Sequence, residues 1–256
     1  MSAVLRQDSN DITVLTLNRP DVRNALNDDI VGALEQHLAD LDDHTSKAII
    51  ITGTGKAFCA GTDLKEMQTQ GRERYFQRIR RMHKLVTRFR QHRCISIAAI
   101  NGMALGGGME LAAMCTFRTA HHSAVFSLPE ILLGVMPCYA GTQTIPRLIG
   151  QNRTLELALT GHQITAQEAM NIGFVNRLSE SDDTVGEATA LALQLIQHSE
   201  VARNGIRAAI DAAFDMPLAQ SMGVEREHAY CVFSSEDAKE GVNAFLHKRA
   251  PRFKNC

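Results

Sequence analysis

The chain of 256 residues is most informative first for what it lacks. It has no C-x-x-C pair, and no His/Cys group has zinc spacing, so neither a zinc module nor a dithiol redox motif is expected. Its six cysteines are scattered, several in apolar runs, which suits reduced core thiols in a cytosolic protein. No apolar run approaches the length of a membrane span. The first eleven residues, MSAVLRQDSND, show neither a long apolar stretch nor an Arg-rich amphipathic pattern, so secretion and organelle import are not expected and the cytoplasm is. There is no internal repeat, low-complexity segment or long linker. Charge of one sign is also missing: the net charge is -1, and the whole-molecule field selects no partner.

What is present is a globular balance, 45% hydrophobic and 21% charged, in a chain long enough for one large core and a small appendage. ITVLTLN (12–18), KAIIITG (47–53) and SIAAI (96–100) read as strands, the last two apolar throughout and so buried on both faces. DDIVGALEQHLADLDD reads as a helix beginning near Asn27, and 71–93 as a second. TGKAFCAGTDL, between them, reads as a loop. Strand alternating with helix implies parallel crossovers. From Thr154 onward the pattern is helical, with FVNRL as the one strand. These readings give an α/β core over 1–190 and a C-terminal helical region over 191–256.

One stretch carries a chemical question. NGMALGGGMELAAMC (101–115) places Glu110 inside an apolar helix just after three glycines. Burying a carboxylate is costly without a partner. A helix start offers unpaired N–H groups and the positive end of a dipole, so Gly107 N–H could donate to an oxyanion, with Glu110 beside it. The alternative is structural: glycines for close packing, and Glu110 as a dipole partner or in a salt bridge to a residue such as Arg118. A dinucleotide loop is disfavoured because the G-x-G-x-x-G order is absent. Two further segments bear on the choice. KAFCAGTDLKEM (56–67) supplies a small-residue turn with a second available N–H. FSLPEILLGVMPCYAGTQ (126–143) supplies Glu130 beside Pro129. Two poorly solvated carboxylates with two turn N–H groups make an acid/base site.

Taken in order, LTLNRPDVRNALN, AFCAGTDLKEM, IAAINGMALGGGMELA, PEILLGVMP, ITAQEAMNIGFVN and EDAKEGVNAFLHKRAPRFK resemble the enoyl-CoA hydratase/isomerase (crotonase) superfamily over nearly the whole chain. The resemblance implies a core of repeated ββα turns with a C-terminal trimerisation region, assembled as a homotrimer or homohexamer. It implies hydration of a 2-enoyl-CoA thioester, a lyase reaction of fatty acid metabolism. Thr62 and Gly107 match the oxyanion-hole pair, and Glu110 and Glu130 the catalytic carboxylates. Arg23, Ala25, Ala60, Asp63 and Lys65 match the segments that line the CoA. Phe245 and Lys254 resemble residues near the nucleotide that come from a neighbouring subunit. No metal and no separate cofactor are implied, since CoA is part of the substrate. Other acyl-CoA reactions on the same scaffold (double-bond isomerisation, decarboxylation, hydrolysis) are the alternatives, and a nucleic-acid-binding relative is the least favoured.

Two features depart from simple expectation. Where the superfamily keeps a turn close to P-G-A-G-G-T-Q, this chain has PCYAGTQ. Either Cys138 and Tyr139 reshape the pocket, or the turn has drifted, with Tyr139 pointing to solvent. Residues 71–93 hold nine of the chain's 27 Lys and Arg against one acid, Glu73, with apolar residues at helical spacing. That basic face could pair with acids elsewhere, steer CoA phosphates, or bind nucleic acid.

Overall fold

The computed structural model describes residues 2–255; Met1 and Cys256, the last of the six cysteines, lie outside the described residues. The chain forms two compact units, residues 1–192 and 193–256.

The first unit is organised by two sheets. One has six strands in the order β1-β2-β3-β5-β7-β10 (Val4–Ser9, Ile12–Leu17, Ala48–Gly53, Ile95–Ile100, Phe117–His121 and Arg177–Ser179). Only β1 and β2 are antiparallel; every later neighbour is parallel. The other has four short strands in the order β4-β6-β8-β9 (Ala57–Cys59, Met103–Leu105, Val125–Ser127 and Ile164–Thr165). Each turn of chain therefore gives one strand to each sheet: β3 then β4, β5 then β6, β7 then β8. This is a repeated ββα core. β3 and β5 are buried at all six positions, which is why they lack the alternation of a half-exposed strand.

Six helices and part of a seventh belong to this unit: α1 (Asp28–Asp40), α2 (Leu64–Gln91), α3 (Gly107–Met114), α4 (Gly141–Ile149), α5 (Gln151–Thr160), α6 (Ala166–Asn171) and α7 (Thr184–Ile196). α1 starts where Asn27 Oδ1 accepts from Ile30 N at 3.0 Å, and it buries Ile30, Val31, Leu34 and Leu38, a helical stripe. The second unit holds α8 (Glu200–Asp215), α9 (Leu218–Ser234) and α10 (Glu236–Leu246). It leaves Ile206, Ile210, Phe214, Leu218 and Phe233 more than half exposed.

Some expectations change. α2 begins at Leu64, not at residue 71, because Asp63 caps it by accepting from Glu66 N at 3.2 Å; Gly71 then breaks the helical path at φ 77°, ψ 165°. AFC within the expected loop is strand β4, three residues too short to show a period. In FVNRL only Arg177 and Leu178 are in strand β10. Phe174 instead packs edge-on against Phe126, with ring centroids 5.3 Å apart.

The basic face of α2 pairs with acids of α1, of the turn after it and of its own first turn. The buried Arg78 donates to Asp28 at 2.8 Å and also pairs with Glu66 and Gln70. Arg81 grips Glu35 at 2.6 Å, and Arg88 meets Asp42. Burial works to raise the Asp28 carboxyl, but the guanidiniums of Arg78 and Arg74 hold it below its ordinary range. Of the readings open for this face, pairing is the one these contacts fit.

Candidate active site

The site grows from strand pairing. β4 and β6 run parallel, Ala57 opposite Met103 and Cys59 opposite Ala104, so the turns after them emerge side by side. A Cβ placed on Gly61 would lie 2.7 Å from Leu105 O and 3.4 Å from Gly107 N. Thr62 sits opposite Leu26 in an isolated parallel bridge. The hydrogen bonds of that bridge run from Leu26 N to Gly61 O, 2.7 Å, and from Asp63 N to Leu26 O, 2.9 Å. The bridge therefore spares Thr62 N–H. Gly107 opens α3, so its N–H belongs to the unpaired first turn of a helix. The two N–H groups meant for an oxyanion come from neighbouring turns, and neither is consumed by the backbone ladder.

The glycines of this stretch do different work. Gly106 takes φ 50°, ψ −122°, a conformation open to glycine alone, and a Cβ there would strike Glu130 Oε1 at 2.7 Å. Gly107 lies against the Tyr139 ring. Gly108 serves packing: its Cβ would stand 2.2 Å from Cys59 O. The packing reading of the glycine run thus holds for one residue of the three.

Glu110 is 1% exposed, in the first turn of a helix buried at every position. Its Oε1 accepts from Tyr139 N at 2.8 Å and Gly141 N at 2.7 Å. Gly141 opens α4, and a side chain there would occupy the carboxylate's place, 2.6 Å from Oε1. Arg118 is not its partner. That guanidinium is itself buried and donates to Cys115 O at 2.7 Å and to Phe174 O. Glu130 stands on a 3-10 turn, Pro129–Leu133, half-buried, and its Oε2 has no hydrogen-bond partner.

Both carboxyls are pushed upward. Burial is the main cause for each, and the charge of Glu130 adds to it at Glu110, which reaches about 8. Backbone N–H groups, those of Gly141 and Tyr139 foremost, oppose the rise at Glu110, whereas Glu130 has only its own backbone N–H against it and its Oε2 has no partner. Groups coupled this closely titrate as a pair. The hydrogen bonds favour the charge on Glu110 and the shared proton on Glu130.

Around this pair the substituted turn is ordered. Tyr139 is fully buried, contrary to the solvent-facing alternative, because the space beside Gly107 accepts its ring. Cys138 is half-buried, its Sγ 3.2 Å from the Tyr75 hydroxyl of α2 and its carbonyl 2.9 Å from His83 Nε2. Burial pushes the Cys138 thiol to about 11. Ala140 takes the left-handed φ of 71°, where the superfamily's glycine costs less.

The remaining expected contacts gather at one place in the first unit. Ala60 N donates to Arg23 O at 3.0 Å, so the Arg23–Ala25 segment and the Ala60–Asp63 turn adjoin. Arg23 and Lys65 are exposed, Ala60 is half-buried, and Ala25 is buried. An open cavity of about 390 Å³ beside them is lined by Arg19, Val22, Asp63, Lys65 and Thr69 among others. The Asp63 side chain is already engaged as the α2 cap and by Arg19 at 2.9 Å, and burial notwithstanding, these partners hold its carboxyl low. Phe245 and Lys254 lie in the second unit, both exposed; Phe245 is 83% so. Among the described residues no three His, Cys, Asp or Glu side chains converge as a metal set. No helix is long and apolar enough to cross a membrane. The N–H clamp on Glu110 and the part played by Tyr75 and Arg78 were not foreseen; only PCYAGTQ, as an altered turn, hinted at the first.

Comparison with known proteins agrees with this geometry. Residues 7–256 match the enoyl-CoA hydratase/isomerase family. A probable enoyl-CoA hydratase of Mycobacterium bovis is 40% identical over 94% of this chain and 94% of its own. The 2,3-dehydroadipyl-CoA hydratase of Escherichia coli is 36% identical over 99% of each. The crystal structure of an enoyl-CoA hydratase from Bacillus anthracis superposes with a TM-score of 0.94 at 32% identity, over 99% of this chain and 100% of that one. With its repeated ββα core, its two spared N–H groups and its buried glutamate, the chain belongs to the enoyl-CoA hydratase/isomerase (crotonase) family.

Proposed function

We propose that the protein hydrates a 2-enoyl-CoA thioester to the 3-hydroxyacyl-CoA. The observation that carries this reading is the pair of raised carboxyls, Glu110 and Glu130, beside two N–H groups that the fold leaves free. Thr62 N–H and Gly107 N–H hold the thioester oxygen and stabilise the charge that develops there. Water lies between the glutamates. Glu110, charged and fixed by Tyr139 N and Gly141 N, takes a proton as the water oxygen bonds to C3. Glu130, carrying the shared proton, delivers it to C2. Water addition needs two proton-handling groups on one face, so keeping both favours hydration over isomerisation, decarboxylation or hydrolysis.

The CoA portion of the substrate lies along Arg23, Ala25, Ala60, Asp63 and Lys65, with Asp63 contributing backbone because its carboxylate is occupied. Phe245 and Lys254 act from a neighbouring subunit of a homotrimer or homohexamer. No metal or further cofactor takes part. The cytoplasm is the proposed location. Nucleic acid is not a proposed partner, since much of the basic face of α2 is spent on Asp28, Glu35 and Asp42.

The test is a panel of enoyl-CoA thioesters of graded chain length, followed by loss of the conjugated absorbance and by product mass. Gain of one water in the product is the expected result. Loss of carbon dioxide, free CoA, or an isomer of unchanged mass would replace hydration by one of the alternatives.

The altered turn bears on chain length. Cys138, half-open and held by Tyr75, is the member of the pair whose side chain can meet an acyl group. Cys138→Gly is expected to raise kcat/KM for longer chains by about tenfold, roughly the worth of one methylene in a pocket. An unchanged profile across the panel would take Cys138 out of the pocket wall.

A further inference from the structure

Tyr139 meets this site through both its backbone and its ring, and nothing in the proposed reaction uses its side chain. Its backbone N–H holds Glu110 Oε1 at 2.8 Å. Its ring lies against Gly107: a Cβ on that glycine would stand 3.0 Å from Cδ2 and 3.1 Å from Cε2. Its hydroxyl is directed at the Thr62 and Arg78 side chains, yet it forms a properly directed hydrogen bond with neither. The side chain is 0% exposed. One residue thus contacts the carboxylate and one proposed oxyanion donor, and faces the other.

We propose that Tyr139 is a positioning residue whose ring fixes the spacing of the Thr62 and Gly107 N–H groups around the thioester oxygen. The geometry assigns the work to the ring. A buried hydroxyl without a well-directed partner adds no holding force, and its removal is close to neutral for folding. The ring fills the volume directly behind the Gly107 backbone, in a region packed without slack. A smaller side chain leaves that backbone free to recede. An oxyanion pair displaced by a fraction of an ångström loses its advantage in the transition state more than in the ground state. Arg78, whose place is set by Asp28, Glu66 and Gln70, lies beside the hydroxyl end of the ring. The ion-pair cluster between α1 and α2 thereby lies behind the site.

This inference rests on the hydratase reading, and its test separates the two. A conjugated dienoyl-CoA thioester absorbs at longer wavelength when N–H donors draw charge onto its carbonyl oxygen, so the red shift on binding reports the donor pair without any turnover. Tyr139→Phe keeps the ring and is expected to keep the red shift and most of kcat. Tyr139→Leu keeps the site apolar and most of its volume filled. It is expected to lose more than half of the red shift and about tenfold in kcat, with KM little changed. Tyr139→Ala should go further in the same direction if it folds, and the Leu variant decides the matter if it does not. A full red shift in Tyr139→Leu, beside a normal wild type, would overturn the positioning role and leave the hydratase reading standing. Loss of the shift in Tyr139→Phe would overturn the assignment to the ring. A wild-type protein that neither shifts nor hydrates any enoyl thioester would overturn both.

Discussion

Glu110→Gln and Glu130→Gln are each expected to lower kcat by at least roughly 10²-fold, the lower end for a general acid or base, while thioester binding largely survives. The reason lies in the unequal surroundings of the two carboxyls. Glu110 is locked by two backbone donors onto one oxygen, leaving its other oxygen to face the water. An amide in that place can still accept from Tyr139 and Gly141, so the turn keeps its shape, but it cannot take a proton. Glu130 keeps one oxygen without any partner, which suits a group that must give a proton to substrate. Its amide keeps the volume and loses the acid. Binding is expected to survive because the proposed donors to the thioester oxygen, Thr62 N–H and Gly107 N–H, lie on turns that neither substitution alters. The measurement is kcat and KM for each variant on the best substrate of the panel, with thioester affinity measured directly. Near-normal turnover in either variant removes that residue from the mechanism. A loss confined to KM would move it from proton transfer to binding.

The same pair predicts the pH profile. Activity requires one proton on two carboxyls, so it falls at low pH when a second proton adds and at high pH when the shared proton leaves. The upper limb should lie near the raised value of about 8, well above an ordinary carboxylate.

How much of this was legible in the sequence depended on length and period. β3 and β5 are short, mostly apolar runs of six residues buried at every position, which is how a strand covered on both faces reads. α1 announced its start through Asn27 and its face through Ile30, Leu34 and Leu38. The second sheet was invisible as a sheet, because β4, β6 and β8 have three residues each and a period of two cannot be read from three positions. That sheet is what sets the turns of Thr62 and Gly107 side by side, so the cause of their adjacency was hidden from the sequence. Glu110 stood out by being an acid among apolar neighbours. Its partners did not, because Tyr139 and Gly141 hold it through backbone N–H groups that carry no side-chain signature. Tyr139 itself was read as a candidate for solvent. Its burial follows from a gap beside Gly107 that only the folded chain defines. Asp28, Glu35 and Asp42, on α1 and just after it, meet arginines of α2 nearly fifty residues away in sequence, which local charge patterning does not reach.

Glu110→Gln should also make the protein more stable than wild type, and only at higher pH. The sign follows from the direction of the shift. The folded pair keeps its shared proton up to about 8, against an ordinary value of 4.5 for a glutamate. Below the lower value the group is neutral in both states and contributes nothing to the difference. Between the two values the unfolded chain releases its proton and the folded chain keeps it, so wild-type stability falls as pH rises. Above about 8 the folded protein carries a buried charge and the full cost is present, on the order of 3–5 kcal/mol for a shift of this size. Gln has no charge to bury, and its carbonyl oxygen still receives the two backbone N–H groups, so it escapes that slope. Denaturant midpoints of the two proteins should therefore coincide near pH 4.5, diverge through neutrality and level off above pH 8, the variant ahead. Glu130→Gln provides the control: without the like charge next to it, Glu110 titrates lower, and the slope should shrink but persist. A gap between wild type and Glu110→Gln that is the same at all pH values would mean that burial holds no extra proton on the pair. A gap of opposite sign at high pH would mean that the N–H clamp outweighs desolvation and that the pair keeps no shared proton above the ordinary carboxylate range.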